Sequence, residues 1–191
     1  MADLTVFGTG NMGQAIAGLG SRAGRAVELI GHDDTGTTVS GDLVVLAVPY
    51  PAVAEIIEQR RDQFGGRIVV DITNPIDFET FDRLVVPPDS SAAAQIAARL
   101  PDSRVLKAFN TTFAGTLAAG TVGPLPTTVL VAGDDGDAKA NLVDLVTGAG
   151  LRAVDAGPLH RARELEAMAF LQIGLASAGA VPWTGGFGVV A

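Results

Sequence analysis

An α/β fold, a doubly wound and mostly parallel sheet with a short C-terminal helical extension, is the class this sequence predicts, on three observations. Short apolar runs alternate with helical segments along the chain. One of those runs, Leu43-Val44-Val45-Leu46-Ala47-Val48, is continuously apolar, as a strand covered on both faces must be. The chain also opens with a strand (Leu4–Phe7), a glycine-rich turn (GTGNMG at 8–13) and a helix in direct succession. The expected division is a sheet domain over 1–156 and a C-terminal helix and tail over 157–191, packing on it and on a second subunit.

The first helix begins near Asn11, and its small residues allow close approach to a sheet. Val27-Glu28-Leu29-Ile30 is the second strand, ending at Gly31; His32 to Thr38 is turn-like and too short for a helix, so the third strand follows at Leu43–Val48. Pro49-Tyr50-Pro51 breaks that strand, with Pro51 suited to the first turn of a helix. This helix runs to about Phe64, with Val53, Ile56 and Ile57 inward and Arg60, Arg61 and Asp62 in water. Ile68–Ile72 is the fourth strand, ended by Thr73-Asn74-Pro75. After a loop with Phe78, Phe81 and Pro87-Pro88, Ser90-Ser91 offers an N-cap for a helix over Ala92–Leu100. Arg104–Phe109 is the fifth strand, and a Gly/Pro-rich connection leads to the sixth, Thr128–Ala132. Asp134 and Asp135 open the next helix, Arg152–Asp155 is the seventh strand, and the last helix starts near Leu159.

Composition narrows the function. A net charge of −8 with no basic face argues against nucleic acid. With no cysteine there is neither a disulfide nor a thiolate metal site, and no metal is expected. No leader-type run precedes Leu4, so a cytoplasmic location is expected. Residues 167–191 carry no charge and are long enough on paper for a membrane span. Pro182, Gly174, Gly179 and the glycines from Gly185 onward break that stretch, so it reads as a buried helix plus a homodimer interface rather than a membrane segment.

The chemistry starts at the glycines. Gly8 permits a tight turn out of the strand, Gly10 lets a pyrophosphate approach the backbone, and Gly13 lets helix and strand lie close, as in a Rossmann-like dinucleotide site. The helix start near Asn11 then turns its free N–H groups toward phosphate. Ligand in such a sheet lies across the strand ends, here Gly8–Gly13, Gly31-His32, Val48-Pro49-Tyr50, Thr73-Asn74-Pro75 and Asn110-Thr111-Thr112. Pro49 and Pro75 rigidify loops that frame a nicotinamide. At the end of strand two, Gly31 stands where an NAD site places a carboxylate, which leaves room for the 2′-phosphate of NADP(H). An Arg or Lys is absent there too, only His32 is at hand, and Asp33 and Asp34 would repel phosphate if they pointed inward, so NAD(H) stays open. Proton donors are scarce: Tyr50, Lys107 or His160 would have to serve a carbonyl or imine reductase. Hydride exchange between two bound cofactors needs mainly positioning, which Asn110, Thr111 and the prolines supply.

GTGNMG at 8–13, NP at 74–75, SSAA at 90–93, KAFNT at 107–111, VAGDD at 131–135 and DAGPL with RARELE across 155–166 together resemble the NADPH-dependent reductases of the deazaflavin coenzyme F420. The resemblance covers nearly the whole chain. It implies that Thr9, Gly10, Asn11 and Met12 hold the pyrophosphate of NADP(H), that Gly31-His32 meets the adenosine ribose, and that Val48-Pro49-Tyr50 runs beside the dinucleotide. It further implies that Asn74 and Asn110-Thr111 flank the nicotinamide and that the deazaflavin enters over Ser90, Thr112 and the C-terminal tail. Where that family commonly has Ser-Arg after strand two, this chain has His32-Asp33 on a shortened connection. The expected activity is hydride transfer between NADP(H) and F420 or a related flavin, acting on small molecules only. The alternatives are a reductase of a small imine or carbonyl, with Tyr50 or Lys107 as donor, and a non-catalytic NADP-sensing module.

Overall fold

The computed structural model describes residues 3–190; Met1, Ala2 and Ala191, the outermost residues of the two expected regions, lie outside it. The apolar runs become the strands β1 (Leu4–Phe7), β2 (Val27–Ile30), β3 (Leu43–Leu46), β4 (Ile68–Asp71) and β5 (Arg104–Lys107). A two-stranded hairpin, β6 (Thr121–Val122) with β7 (Leu125–Pro126), precedes β8 (Thr128–Gly133) and β9 (Arg152–Gly157). The helices are α1 (Asn11–Arg22), α2 (Tyr50–Arg60), α3 (Ala92–Arg99), α4 (Ala114–Ala119), α5 (Gly136–Gly148) and α6 (Ala162–Ser177).

Seven strands form one sheet in the order β2-β1-β3-β4-β5-β8-β9, parallel except where β8 runs against β5. Alternate residues of each strand feed opposite cores. Leu4, Val6, Val45, Val70 and Leu106 pack with Ile16 and Leu19 of α1, Leu117 of α4 and Leu142 of α5. Phe7, Val44, Leu46, Val69 and Val105 pack on the other face with Val53 and Ile57 of α2 and Ile96 of α3. Because the chain reverses direction across the sheet between β1 and β3, the ends of those strands open a crevice, the usual seat of a ligand in a doubly wound sheet.

Three expectations change. The second helix ends at Arg60 and passes into a single 3-10 turn, Arg61–Gln63, and Arg60 is buried rather than in water. The Gly/Pro-rich connection is not featureless: it folds as α4 and the β6–β7 hairpin. The last helix starts at Ala162, because Leu159–Arg161 form a 3-10 turn ahead of it. Among the described residues no helix is long and apolar enough to cross a membrane.

Candidate functional site

The crevice is built first by glycines. Gly8 has φ +105°, and a Cβ there would fall inside the van der Waals shell of the Ala47 carbonyl; a Cβ on Gly13 would collide with the Gly8 carbonyl. Gly10, by contrast, has nothing within 4 Å of the place a Cβ would take. The turn is therefore closed toward the sheet and open toward the crevice. Helix α1 begins directly behind it, and Gly10, its N-cap, places no side chain over the first N–H groups. These lack intrahelical acceptors and sit at the positive end of the helix dipole, so they suit an anionic group.

Two cavities meet at this turn. One, of about 450 Å³, runs over β1, β2 and β3 and includes Gly8, Thr9, Gly10, Gly31, His32, Val48 and Pro49, with Phe7 and Ile56 giving it apolar walls. The other, of about 490 Å³, includes Asn11, Met12, Asn74, Asn110 and Thr112, with Phe113, Ile173 and Trp183. The rings of Phe113 and Trp183 lie 5.0 Å apart, and Trp183 stays 55% exposed at that cavity's wall. The expected site residues thus fall on consecutive stretches of one crevice, apart from a few. Gly13 is buried beneath the turn and Pro75 beneath its loop, where its carbonyl accepts from the Val85 amide at 2.7 Å. Ser90 is half-buried ahead of α3. Thr111 is buried, its carbonyl accepting from Gln172 Nε2 at 3.3 Å. Tyr50 turns away into a small pocket between α2 and α3, its hydroxyl donating to Gln95 Oε1 at 2.7 Å. Burial, then the nearby Glu166 and Asp71 charges, raise its phenol above the ordinary range.

The second cavity rests on a strained turn. Phe109, fully buried two residues past β5, has φ +62°, a left-handed conformation that costs a non-glycine residue about 1–3 kcal/mol. Thr112 holds the turn, its amide and hydroxyl both donating to the Phe109 carbonyl at 3.1 and 2.7 Å. The turn aligns two amides: Asn110 Nδ2 donates to Asn74 Oδ1 at 3.2 Å and to the Leu165 carbonyl at 2.9 Å, and Asn74 Nδ2 donates to the Asn110 carbonyl at 3.3 Å. Among the described residues Asn110 Oδ1 is buried with no hydrogen-bond partner, as is Thr73 Oγ1. An orphaned acceptor costs stability unless a ligand donates to it.

Below this turn lies an ionic cluster that the sequence left hidden. Lys107 Nζ contacts Asp71 Oδ2 at 2.8 Å, Glu166 Oε1 at 2.8 Å and the Thr73 carbonyl at 2.6 Å, with all three side chains fully buried. Lys107 and Asp71 face each other in register across β5 and β4. Glu166 also accepts from the Ala92 and Ala93 amides, at 3.0 and 3.4 Å, tying α6 to the start of α3. Burial pushes the Glu166 carboxyl above its ordinary value against the opposing pull of Lys107. Each ammonium N–H of Lys107 thus has an acceptor, and Lys107 lines neither crevice cavity, so its role is to hold this cluster. An acid inside the apolar run of β4 and a lysine inside β5 were the available signals; nothing in the sequence pointed to Glu166 as their partner.

At the other end, Arg60 was also missed as a site residue. Its guanidinium lies 5.4 Å from the centroid of the Phe7 ring and donates to the Asp34 and Thr37 carbonyls. Asp34 closes the loop after β2, accepting from the Gly36 and Thr37 amides at 3.2 and 2.9 Å and from the Thr37 hydroxyl at 2.6 Å. The Thr37 hydroxyl and amide hold the Asp34 carboxyl below the usual carboxylate range. Glu28, the strand-two acid, is used structurally: it accepts from Thr5 Oγ1 at 3.0 Å and from Ser40 Oγ at 3.1 Å. Among the described residues no group of acids or histidines is arranged to hold a metal ion.

A family model described as NADP oxidoreductase, coenzyme F420-dependent, matches residues 26–75. The F420-dependent NADP reductase of Methanocaldococcus jannaschii is 34% identical over 156 residues, which span 80% of this chain and 70% of that protein. A crystal structure from Arthrobacter sp. FB24, provisionally assigned as an F420-dependent NADP reductase, aligns over 100% of both chains with a TM-score of 0.84 at 24% identity, a likeness of fold. A reductive aminase from Aspergillus terreus, solved with NADPH and ethyl levulinate, shares the fold over 94% of this chain and 63% of its own, with a TM-score of 0.68 at 16% identity. Sequence identity over most of both chains, on a sheet of this topology, places the protein: it belongs to the family of F420-dependent NADP reductases, which are NADP-dependent oxidoreductases.

Proposed function

We propose that the protein transfers hydride between the nicotinamide of NADP(H) and the deazaflavin ring of coenzyme F420 or a related flavin. The observation that carries this reading is the pair of cavities meeting at the start of α1, the second of which includes the hydrogen-bonded amides Asn74 and Asn110. In this reading the first cavity takes the adenosine half, along Gly31-His32 and Val48-Pro49. The backbone of Thr9 to Met12 takes the pyrophosphate where Gly10 leaves open space. Asn110 and Asn74 flank the nicotinamide. The bound pair supplies the redox chemistry: reduction of the deazaflavin by NADPH takes one hydride from the nicotinamide and one proton from water.

What the chain contributes is positioning. The strained Phe109 turn fixes Asn110 and Thr112, and the Phe113–Trp183 pair offers aromatic surface for a second planar ring. Neither Tyr50 nor Lys107 lines either cavity, which favours direct transfer over a carbonyl or imine reductase needing those donors. Titration with NADPH and NADH separately, followed by oxidised F420, tests the reading. Loss of deazaflavin absorbance with NADPH is expected; tight NADPH binding without bleaching would sink the reaction while leaving the dinucleotide site standing. A second copy on the uncharged C-terminal segment belongs to the same proposal, because Leu171, Phe187 and Val190 expose 59%, 41% and 81% of their surface. Sedimentation at micromolar concentration should give a dimer; a monomer there removes this part.

A further inference from the structure

Dependence on NADP requires something to receive the 2′-phosphate of the adenosine ribose, and the usual place for that cation is the loop after the second strand. In this chain that loop offers Gly31, His32, Asp33 and Asp34, with no Arg or Lys before Arg60. The titratable residues lining the adenosine cavity are His32, Asp34, Glu55 and Arg60, so Arg60 is the sole Arg or Lys among them. Arg60 is 6% exposed, and its hydrogen bonds, to the Asp34 and Thr37 carbonyls, are to neutral acceptors. Among the described residues no carboxylate lies within ion-pair distance of it. The Asp34 carboxylate feels the Arg60 charge without contacting it, its oxygens being committed to Gly36 and Thr37. A guanidinium carries five N–H donors, of which these bonds use two. A buried cation with no carboxylate in contact is costly, and one held in a cavity wall by neutral carbonyls is ready for a ligand's anion.

We propose that Arg60 supplies the positive charge that receives the 2′-phosphate, reaching the adenosine cavity from the end of α2 instead of from the loop after β2, and so sets the preference for NADP(H) over NAD(H). The same two bonds explain how the guanidinium is placed. By holding the Asp34 and Thr37 carbonyls it fixes the short connection that replaces a helix, and its remaining N–H groups have the planar geometry that suits a phosphate. The inference rests on the NADP part of the functional reading and is independent of the hydride acceptor.

The test uses the full chain and two probes, 2′,5′-ADP and 5′-ADP, with dissociation constants from calorimetry. The unaltered protein should bind 2′,5′-ADP more tightly. Arg60→Gln should lose about tenfold or more of that affinity, with 5′-ADP changed by no more than about twofold, and Arg60→Lys should keep part of the difference. Equal losses for both probes would mean that Arg60 only shapes the loop, and no preference in the unaltered protein would remove the premise; either overturns the proposal. Should Arg60→Gln fail to fold, Arg60→Lys decides, equal losses for both probes overturning the assignment, and salt dependence in the unaltered protein checks that a charge is read. Affinity for 2′,5′-ADP should fall more steeply with ionic strength than that for 5′-ADP, and parallel slopes overturn the assignment. Failure to bind either probe would count against the dinucleotide site itself, a result distinct from failure of Arg60 alone.

Discussion

The buried Lys107 sits between two carboxylates, and the asymmetry of that arrangement decides what each side chain is worth. One cation facing Asp71 and Glu166, all fully buried, leaves the cluster with one excess negative charge. Removing the cation by Lys107→Met would leave two carboxylates in a dry interior, at a cost of about 3–5 kcal/mol. Glu166→Gln, in contrast, leaves a neutral Lys107–Asp71 pair and should cost much less. The raised carboxyl of Glu166 adds a pH signature. A carboxyl whose folded value lies above its unfolded value keeps its proton longer in the native state, so its stabilisation is full below the unfolded value and is lost as pH rises through the folded one. The stability gap between the unaltered protein and Glu166→Gln should therefore shift in the variant's favour as pH rises across that window. Urea melts of all three proteins on the acid and neutral sides check this; a variant that loses ground with rising pH would contradict the charge argument.

At the scale of elements, what was legible in the sequence was what local pattern and covalent constraint dictate. The apolar runs of β1, β3 and β4 admit one reading because strands buried on both faces need continuous hydrophobicity. Ser91 caps α3 as expected, its hydroxyl accepting from the Ala94 amide at 3.0 Å, and Asp135 does the same for α5 at 2.7 Å. The glycine turn was legible because closure toward the sheet and openness toward the crevice are both demands that only glycine meets. The hidden features depend on residues far apart in the chain. Arg60 lies at a helix end beside Arg61 and reads as solvated; the loop carbonyls at 34 and 37, brought over by the short connection, and the Phe7 ring of β1 enclose it. Glu166 reads as one of several charges opening the last helix, and its partners are 59 and 74 residues away in Lys107 and Ala92. Helix α4 and its hairpin were missed because Gly120, Gly123, Pro124 and Pro126 mark turns, and the short elements between those turns have no periodicity to read.

The whole molecule divides the work of the crevice between distant parts of the chain. Every residue lining the first cavity lies between Phe7 and Arg60, on β1, β2, α2 and the turns that follow β1, β2 and β3. The second cavity is assembled from the start of α1, the ends of β4 and β5, α4, and then Ile173, Trp183 and Thr184 from the C-terminal region. That region is fastened by one buried side chain in particular: Gln172 donates to the Thr111 carbonyl and accepts from the Phe187 amide at 3.2 Å, joining the Asn110–Thr112 turn to the tail. Binding of the dinucleotide and engagement of a second ring should therefore be separable. A chain ending at Val181 keeps the first cavity, α1 and Gln172, and loses Trp183 and the partner that Phe187 provides. Its affinity for 2′,5′-ADP should stay within about twofold of the intact protein, since no contact of that cavity is removed. Its rate of F420 reduction by NADPH should fall by about tenfold or more, because one wall of the second cavity and its aromatic surface are gone. Trp183→Ala in the full chain should move the same way with a smaller loss and with KM for F420 raised more than kcat is lowered. If truncation weakened both ligands together, the tail would be holding the whole fold rather than one cavity; if it weakened neither, the second ring would have to bind elsewhere on the crevice.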